Sequence, residues 1–142
     1  MKDFSIFLLD GSVKTQHPDR NLSESLVKDC LERFEDAKLS LKTGRKPKFI
    51  YENIYEALRE AADSILFLKG YKSFSHEASI SFLQQFKELS AKEISDFDRM
   101  RIKRNGMKYY GKSCSENDVE EAVKFSDALM KKLFEIRKNL NK

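Results

Sequence analysis

Apolar residues along this chain recur at steps of three and four, the spacing of one helical face, and nowhere alternate in the two-residue rhythm of a half-buried strand. From about Asn21 to Leu41, a face is marked by Leu26, Cys30, Phe34, Ala37 and Leu41 and widened by Val27 and Leu31; Asn21 and Glu24 have capping-box spacing. Gly44 and Pro47 break the chain, and a second helix is predicted from about Phe49 to Lys69, with Gly70 as its C-terminal stop. That segment has two apolar stripes, one of Ile50, Ile54, Leu58, Ala61, Ile65 and Leu68, the other of Tyr51, Tyr55, Ala62 and Leu66. Two stripes predict a central helix with neighbours on more than one side.

The remaining helices are read from their caps. Ser73 and Ser75 cap a third helix through Ile80, Leu83, Phe86 and Leu89. Ser90 with Glu93 opens a fourth that turns Ile94, Phe97 and either Met100 or Arg101 inward and stops at Asn105-Gly106. Ser113 with Glu116 opens a fifth, whose seam is Val119, Ala122, Val123, Ser126, Leu129, Met130, Leu133 and Leu140. The fold class expected is all-α, an up-and-down antiparallel bundle of about five helices in one domain over residues 21–142. Residues 1–20, with Phe4, Ile6, Phe7, Leu8 and Leu9, form a short N-terminal docking segment.

Composition narrows the function classes. With 142 residues, five Gly, two Pro and no Trp, the chain lacks the turn residues of a sandwich or barrel. The N-terminal apolar run is short and flanked by Asp3 and Asp10, unlike a signal peptide or membrane span. Cys30 and Cys114 lie far apart and read as reduced thiols of a cytoplasmic protein. His17 and His76 have no ligand-spaced partners, so no metal and no cofactor is expected. No phosphate loop or nucleophile–base set is present.

Charge changes the picture most. Arg99 to Lys112 holds six cations and no acid, and +6 within a chain of net +4 leaves −2 for the rest. Arg101, Arg104 and Lys108 fall on one helical face, where a guanidinium fork grips phosphate bidentately. Asn105 adds an amide, Gly106 allows a sharp turn, and Tyr109 and Tyr110 offer rings for base stacking. Glu60 or Asp63 is placed to partner Arg104 across the bundle. The competing reading is a solvated helix end whose cations answer the helix dipole, with one tyrosine in the core and one at the rim. His76 reads as a hydrogen-bonding residue at a helix terminus.

The run Tyr55–Leu83, with its Gly-Tyr-Lys-Ser-Phe-Ser-His-Glu-Ala string, resembles the second and third helices of HEPN-domain proteins. Phe97–Gly111, with Arg-Asn-Gly at 104–106, resembles the stretch that carries that family's Arg-Asn signature, and the similarity runs from about Leu22 to the C-terminus. The resemblance, closest to small stand-alone prokaryotic members, implies a homodimer whose signature motifs meet in a basic cleft. It also implies metal-independent ribonuclease activity in members that carry a histidine four to six residues beyond the arginine. Arg104 and Asn105 match the signature; Tyr109 and Tyr110 stand where the histidine falls, so the motif is degenerate. Tyrosine, with an ordinary pKa near 10, handles protons poorly at neutral pH. The expectation is therefore a protein that binds RNA or a nucleotide through Arg101, Arg104, Asn105 and Lys108. By resemblance it can be the HEPN member of a toxin–antitoxin-like pair, with a small nucleotidyltransferase as partner. The alternatives are a weak ribonuclease using Arg104 and a tyrosine, and a non-catalytic dimeric assembly module.

Overall fold

A computed structural model describes residues 1–141. Six α-helices and one two-stranded ribbon make an all-α bundle: α1 (Phe4–Leu9), β1 (Val13–Thr15), α2 (Arg20–Ser40), α3 (Pro47–Leu68), β2 (Tyr71–Ser73), α4 (His76–Phe82), α5 (Ala91–Tyr110) and α6 (Glu116–Leu140).

The twin-striped helix is central. Ile54, Tyr55, Ala57, Leu58, Ala61, Ala62 and Ile65 of α3 are fully buried, and α3 packs on α2, α4, α5 and α6. Direction follows from cross-helix bonds. Ser23 meets Ser64 and Arg33 meets Glu60, so α2 and α3 run antiparallel. Tyr55 meets Phe97 and Glu52 meets Lys108, so α3 and α5 do too. Lys132–Glu93 and Lys103–Asp118 tie the two ends of an antiparallel α5–α6 pair.

The N-terminal segment docks on α4. Phe7 is buried with Val13 and Ala78, Phe4 sets its ring edge-on to Tyr71 and Phe82 at 5.3 and 5.1 Å, and Ser81 donates to the Lys2 carbonyl. β1 pairs antiparallel with β2, Lys14 opposite Lys72. Three-residue strands are too short to register as alternation, so the sequence reading of a strand-free chain is corrected here.

Several boundaries also move. Asp19, not Asn21, caps α2 by accepting from the Leu22 N–H. Pro47 starts α3 rather than breaking the chain, as suits a residue with no N–H to leave unpaired. α4 ends at Phe82 and passes into a 3-10 turn at Leu83–Gln85, short of Leu89. Ser75 caps α4 and Ser90–Glu93 boxes α5 as predicted, but the box opening α6 is Ser115–Asp118, two residues later than expected. The seam of α6 includes Ile136, missed in the sequence, whereas Leu140 is exposed.

α5 does not stop at Asn105-Gly106. It continues to Tyr110, and the left-handed residue that ends it is Gly111, at φ 64°. Gly106 serves close approach instead: the Lys112 N–H bonds its carbonyl, and a Cβ there would sit 3.1 Å from Lys112 Cγ.

Gly70 combines both constraints, with φ 82° and a would-be Cβ only 2.6 Å from the Gln16 carbonyl oxygen. Gly70→Ala is expected to destabilise by more than the roughly 1–2 kcal/mol of left-handed strain alone, and Gly111→Ala, with open space around it, by about that strain. Chemical denaturation of the two variants measures the order; equal losses contradict it.

Candidate functional site

Two polar stripes face each other across the α3–α5 contact. α3 contributes Glu52, Glu56, Arg59 and Asp63, spaced at four, three and four; α5 contributes Asp98, Arg101, Arg104 and Lys108. Arg104 lies at the centre and is only 8% exposed. Its Nη2 lies 3.4 Å from Glu56 Oε1 and 3.5 Å from Glu52 Oε1, its Nη1 donates to Asn105 Oδ1 at 3.1 Å, and its Cζ sits 5.7 Å from the Tyr55 ring centroid. Nε is buried with no partner among the described residues. The carboxylates facing Arg104 are thus Glu52 and Glu56; Glu60 pairs with Arg33, and Asp63 with Arg59 and Ser79.

The neighbouring groups are tightly paired. Arg59 bonds Glu56 at 2.9 Å and Asp63 at 2.7 Å, and Arg101 bonds Asp98 at 2.7 Å and lies 3.9 Å from Glu77. Burial opposes ionisation of Glu56, but Arg59, with help from His76 and Arg104, outweighs it and holds its carboxyl below the usual range. Burial wins at Asp63 and raises its pKa despite Arg59.

The structure adds His76 to this cluster. Its Nδ1 lies 3.1 Å from the Tyr55 hydroxyl, and its ring centroid 5.8 Å from that of Tyr55, the ring that Arg104 approaches from the α5 side. Tyr55 is fully buried, and its hydroxyl has no other partner among the described residues. Burial raises its pKa, so the phenol keeps its proton and donates it to Nδ1. The neutral imidazole then carries its own proton on Nε2. Burial, Arg59, Arg104 and Arg101 all lower the pKa of His76, against Glu56, and keep the ring neutral near pH 7. His76, on α4, thus meets the Tyr55 ring that Arg104 also approaches.

The other sequence-predicted residues divide. Lys108 joins Arg104 at Glu52 Oε1, at 3.4 Å, and both line an open pocket of about 260 Å³ with Lys48, Phe49, Glu52 and Met107. Arg101 belongs to the His76 side of the cluster through Glu77. Tyr109 and Tyr110 lie outside that pocket, 64% and 78% exposed, so neither is the core tyrosine expected of a helix-end pair. Tyr110 instead borders a separate apolar hollow of about 470 Å³ with Ile102, Asn105 and Gly106.

The basic run is internally neutralised. Arg99 meets Asp96, Arg101 meets Asp98, Lys103 meets Asp118, and Arg104 and Lys108 meet Glu52; of the six cations only Lys112 lacks a carboxylate among the described residues. The signal missed in the sequence is the α3 stripe, whose spacing places four charged side chains opposite α5.

Cys30 is inert: burial pushes its thiol up to about 12, and it contacts Met130 Sδ at 3.5 Å. Among the described residues, no group of three or more His, Cys, Asp or Glu is placed to hold a metal ion, and no helix is long and apolar enough to cross a membrane. No protein-family model matches the chain, and no match was found among curated proteins.

The lowered pKa of His76 gives a pH signature. In the unfolded chain it titrates near its ordinary value of about 6.5, so below that pH the unfolded state binds more protons and folding weakens. His76→Gln keeps an acceptor for Tyr55 and removes this titration. The stability advantage of wild type over His76→Gln should be full above about pH 6.5 and shrink as the pH falls through the lower folded value. Urea melts across that range measure it; a pH-independent difference contradicts the assignment.

Proposed function

We propose that this chain is a HEPN-type helical protein that acts as a homodimer and binds a phosphate of RNA or of a nucleotide in the Arg104 pocket. What carries the reading is the state of Arg104: a buried guanidinium with long carboxylate contacts, an unpartnered Nε, and a place in the wall of an open pocket beside Lys108. A buried charge with weak partners has free energy to gain from a better one, and a phosphate matches the guanidinium fork. Glu52 occupies that place in the free protomer, bonded by both Arg104 and Lys108, and yields it when the anion arrives. The dimer is supported by the exposed apolar edge of Ile102, Tyr109 and Tyr110 on the same helix. A small nucleotidyltransferase as partner in a toxin–antitoxin-like pair, and a cytoplasmic setting, belong to the same reading.

A second reading, a slow metal-independent ribonuclease, is favoured by His76, an imidazole held against the same Tyr55 ring that Arg104 approaches. The assembly-module reading draws its support from the internal pairing of the α5 cations, which leaves the isolated protomer with little free charge there.

Fluorescence anisotropy with a labelled oligoribonucleotide tests the first reading. Arg104→Lys keeps the charge but loses the fork, and should weaken binding roughly tenfold, of the order of one charge-assisted hydrogen bond; Glu52→Gln should tighten it. Binding unaffected by either substitution rejects the pocket. Incubation of RNA with pure protein in EDTA tests the second reading: cleavage abolished by His76→Gln supports it, and intact RNA sinks it. Sedimentation follows the dimer, which Tyr110→Asp should dissociate.

A further inference from the structure

A dense group of unpaired cations lies at the α2–α3 connection. Lys42, Arg45, Lys46 and Lys48 place four cations in seven residues with no acid among them. All four are exposed, and none has a carboxylate within ion-pair distance among the described residues. The six paired cations of α5 stand in contrast.

Their position sharpens the point. Lys42 follows the C-terminus of α2, where a cation answers the negative pole. Arg45, Lys46 and Lys48 crowd the N-terminus of the 22-residue helix α3, which is already the positive pole. That terminus has no side-chain cap and no acidic residue in its first turn. Cations stacked on an uncapped positive pole repel one another unless an anion joins them.

The second observation ties this surface to a ligand. Lys48 and Phe49 lie in the wall of the same pocket as Arg104, whose side chain is nine-tenths buried and whose Nε has no partner. Phe49 is half exposed, with the Lys48 ammonium 5.1 Å from its ring centroid. The path from loop to pocket thus presents cations, then an aromatic ring, then a buried guanidinium.

We propose that the α2–α3 connection is a docking surface for a nucleic-acid strand, with successive phosphodiesters along Lys42, Arg45, Lys46 and Lys48 and one phosphate delivered to Arg104. It builds on the pocket reading for the point where the strand ends. A single nucleotide is too small to reach from Lys42 into the pocket. An anionic bilayer is too flat to reach a buried guanidinium, and an acidic peptide gives Phe49 no flat base to stack on.

The test compares wild type, the triple variant Lys42→Ala/Arg45→Ala/Lys46→Ala, and Arg104→Lys. Anisotropy with a fluorescent oligouridylate is read across a salt series. The triple substitution changes only exposed side chains, and thermal melts check that the fold is kept. The slope of log affinity against log salt should fall in magnitude by about 2, the release expected for three single-strand phosphate contacts. An unchanged slope and affinity overturns the docking surface. Loss in the triple variant with none in Arg104→Lys keeps the surface and removes the pocket as its end point. Loss in Arg104→Lys with none in the triple variant keeps the pocket and overturns the surface. Wild type that binds polyglutamate or phosphatidylserine vesicles as tightly as oligouridylate overturns the nucleic-acid assignment.

Discussion

The contact on which the candidate site depends is the one between the Arg104 guanidinium and α3. A charge that is nine-tenths buried is tolerated only where oppositely charged or polar groups surround it, and here they come from two successive turns of α3, Glu52 and Glu56, with the Tyr55 ring between them. Because Lys108 must reach the same Glu52 oxygen one turn later, α5 has to remain helical through Asn105-Gly106. The register of α5 on α3 and the shape of the pocket therefore have one cause. The same contact is unfinished, since its Nε is unanswered and its carboxylate distances are long. A residue that meets α3 through long, weak contacts is suited to exchange one of them for a ligand without rebuilding the fold.

Around it the polar groups are arranged so that a histidine stays neutral. Tyr55 holds Nδ1 as an acceptor, and three arginines disfavour a further positive charge on the ring. The charges of the cluster cancel locally, Arg59 against Glu56 and Asp63, Arg101 against Asp98. What faces solvent is thus a polar, nearly neutral wall with one under-served guanidinium. A dense group of unpaired cations lies instead on the α2–α3 connection, the proposed approach to that wall.

Local signals in the sequence were good guides to local structure. Ser90–Glu93, Ser75 and Gly70 each end or begin an element where their chemistry requires it. The twin stripes of α3 correctly marked the central helix. The errors came where two local signals compete or where tertiary contacts decide. Ser113-x-x-Glu116 and Ser115-x-x-Asp118 both have capping-box spacing, and the structure forms the second. Gly106 reads as a breaker, yet a mid-helix glycine costs only about 1 kcal/mol, and buried Arg104 and Met107 on either side of it pack in the helix. Charge was the least legible quantity. The densest basic run is well paired because Arg99 and Arg101 meet Asp96 and Asp98 one turn back, while the acids for Lys103, Arg104 and Lys108 lie on α6 and α3; the modest Lys42–Lys48 group has no such partners. His76 escaped for the same reason, since nothing local links it to Arg104.

The central claim is that a nucleic-acid strand approaches over the α2–α3 connection and ends at Arg104. Ultraviolet cross-linking of wild-type protein to a uridine-rich RNA, followed by mass spectrometry of the cross-linked peptides, tests it most directly. The account predicts adducts at Phe49 and neighbouring residues of the 42–52 segment, together with the segment carrying Arg104. Adducts confined to the β1–β2 ribbon or to α6, with none in either segment, would contradict it.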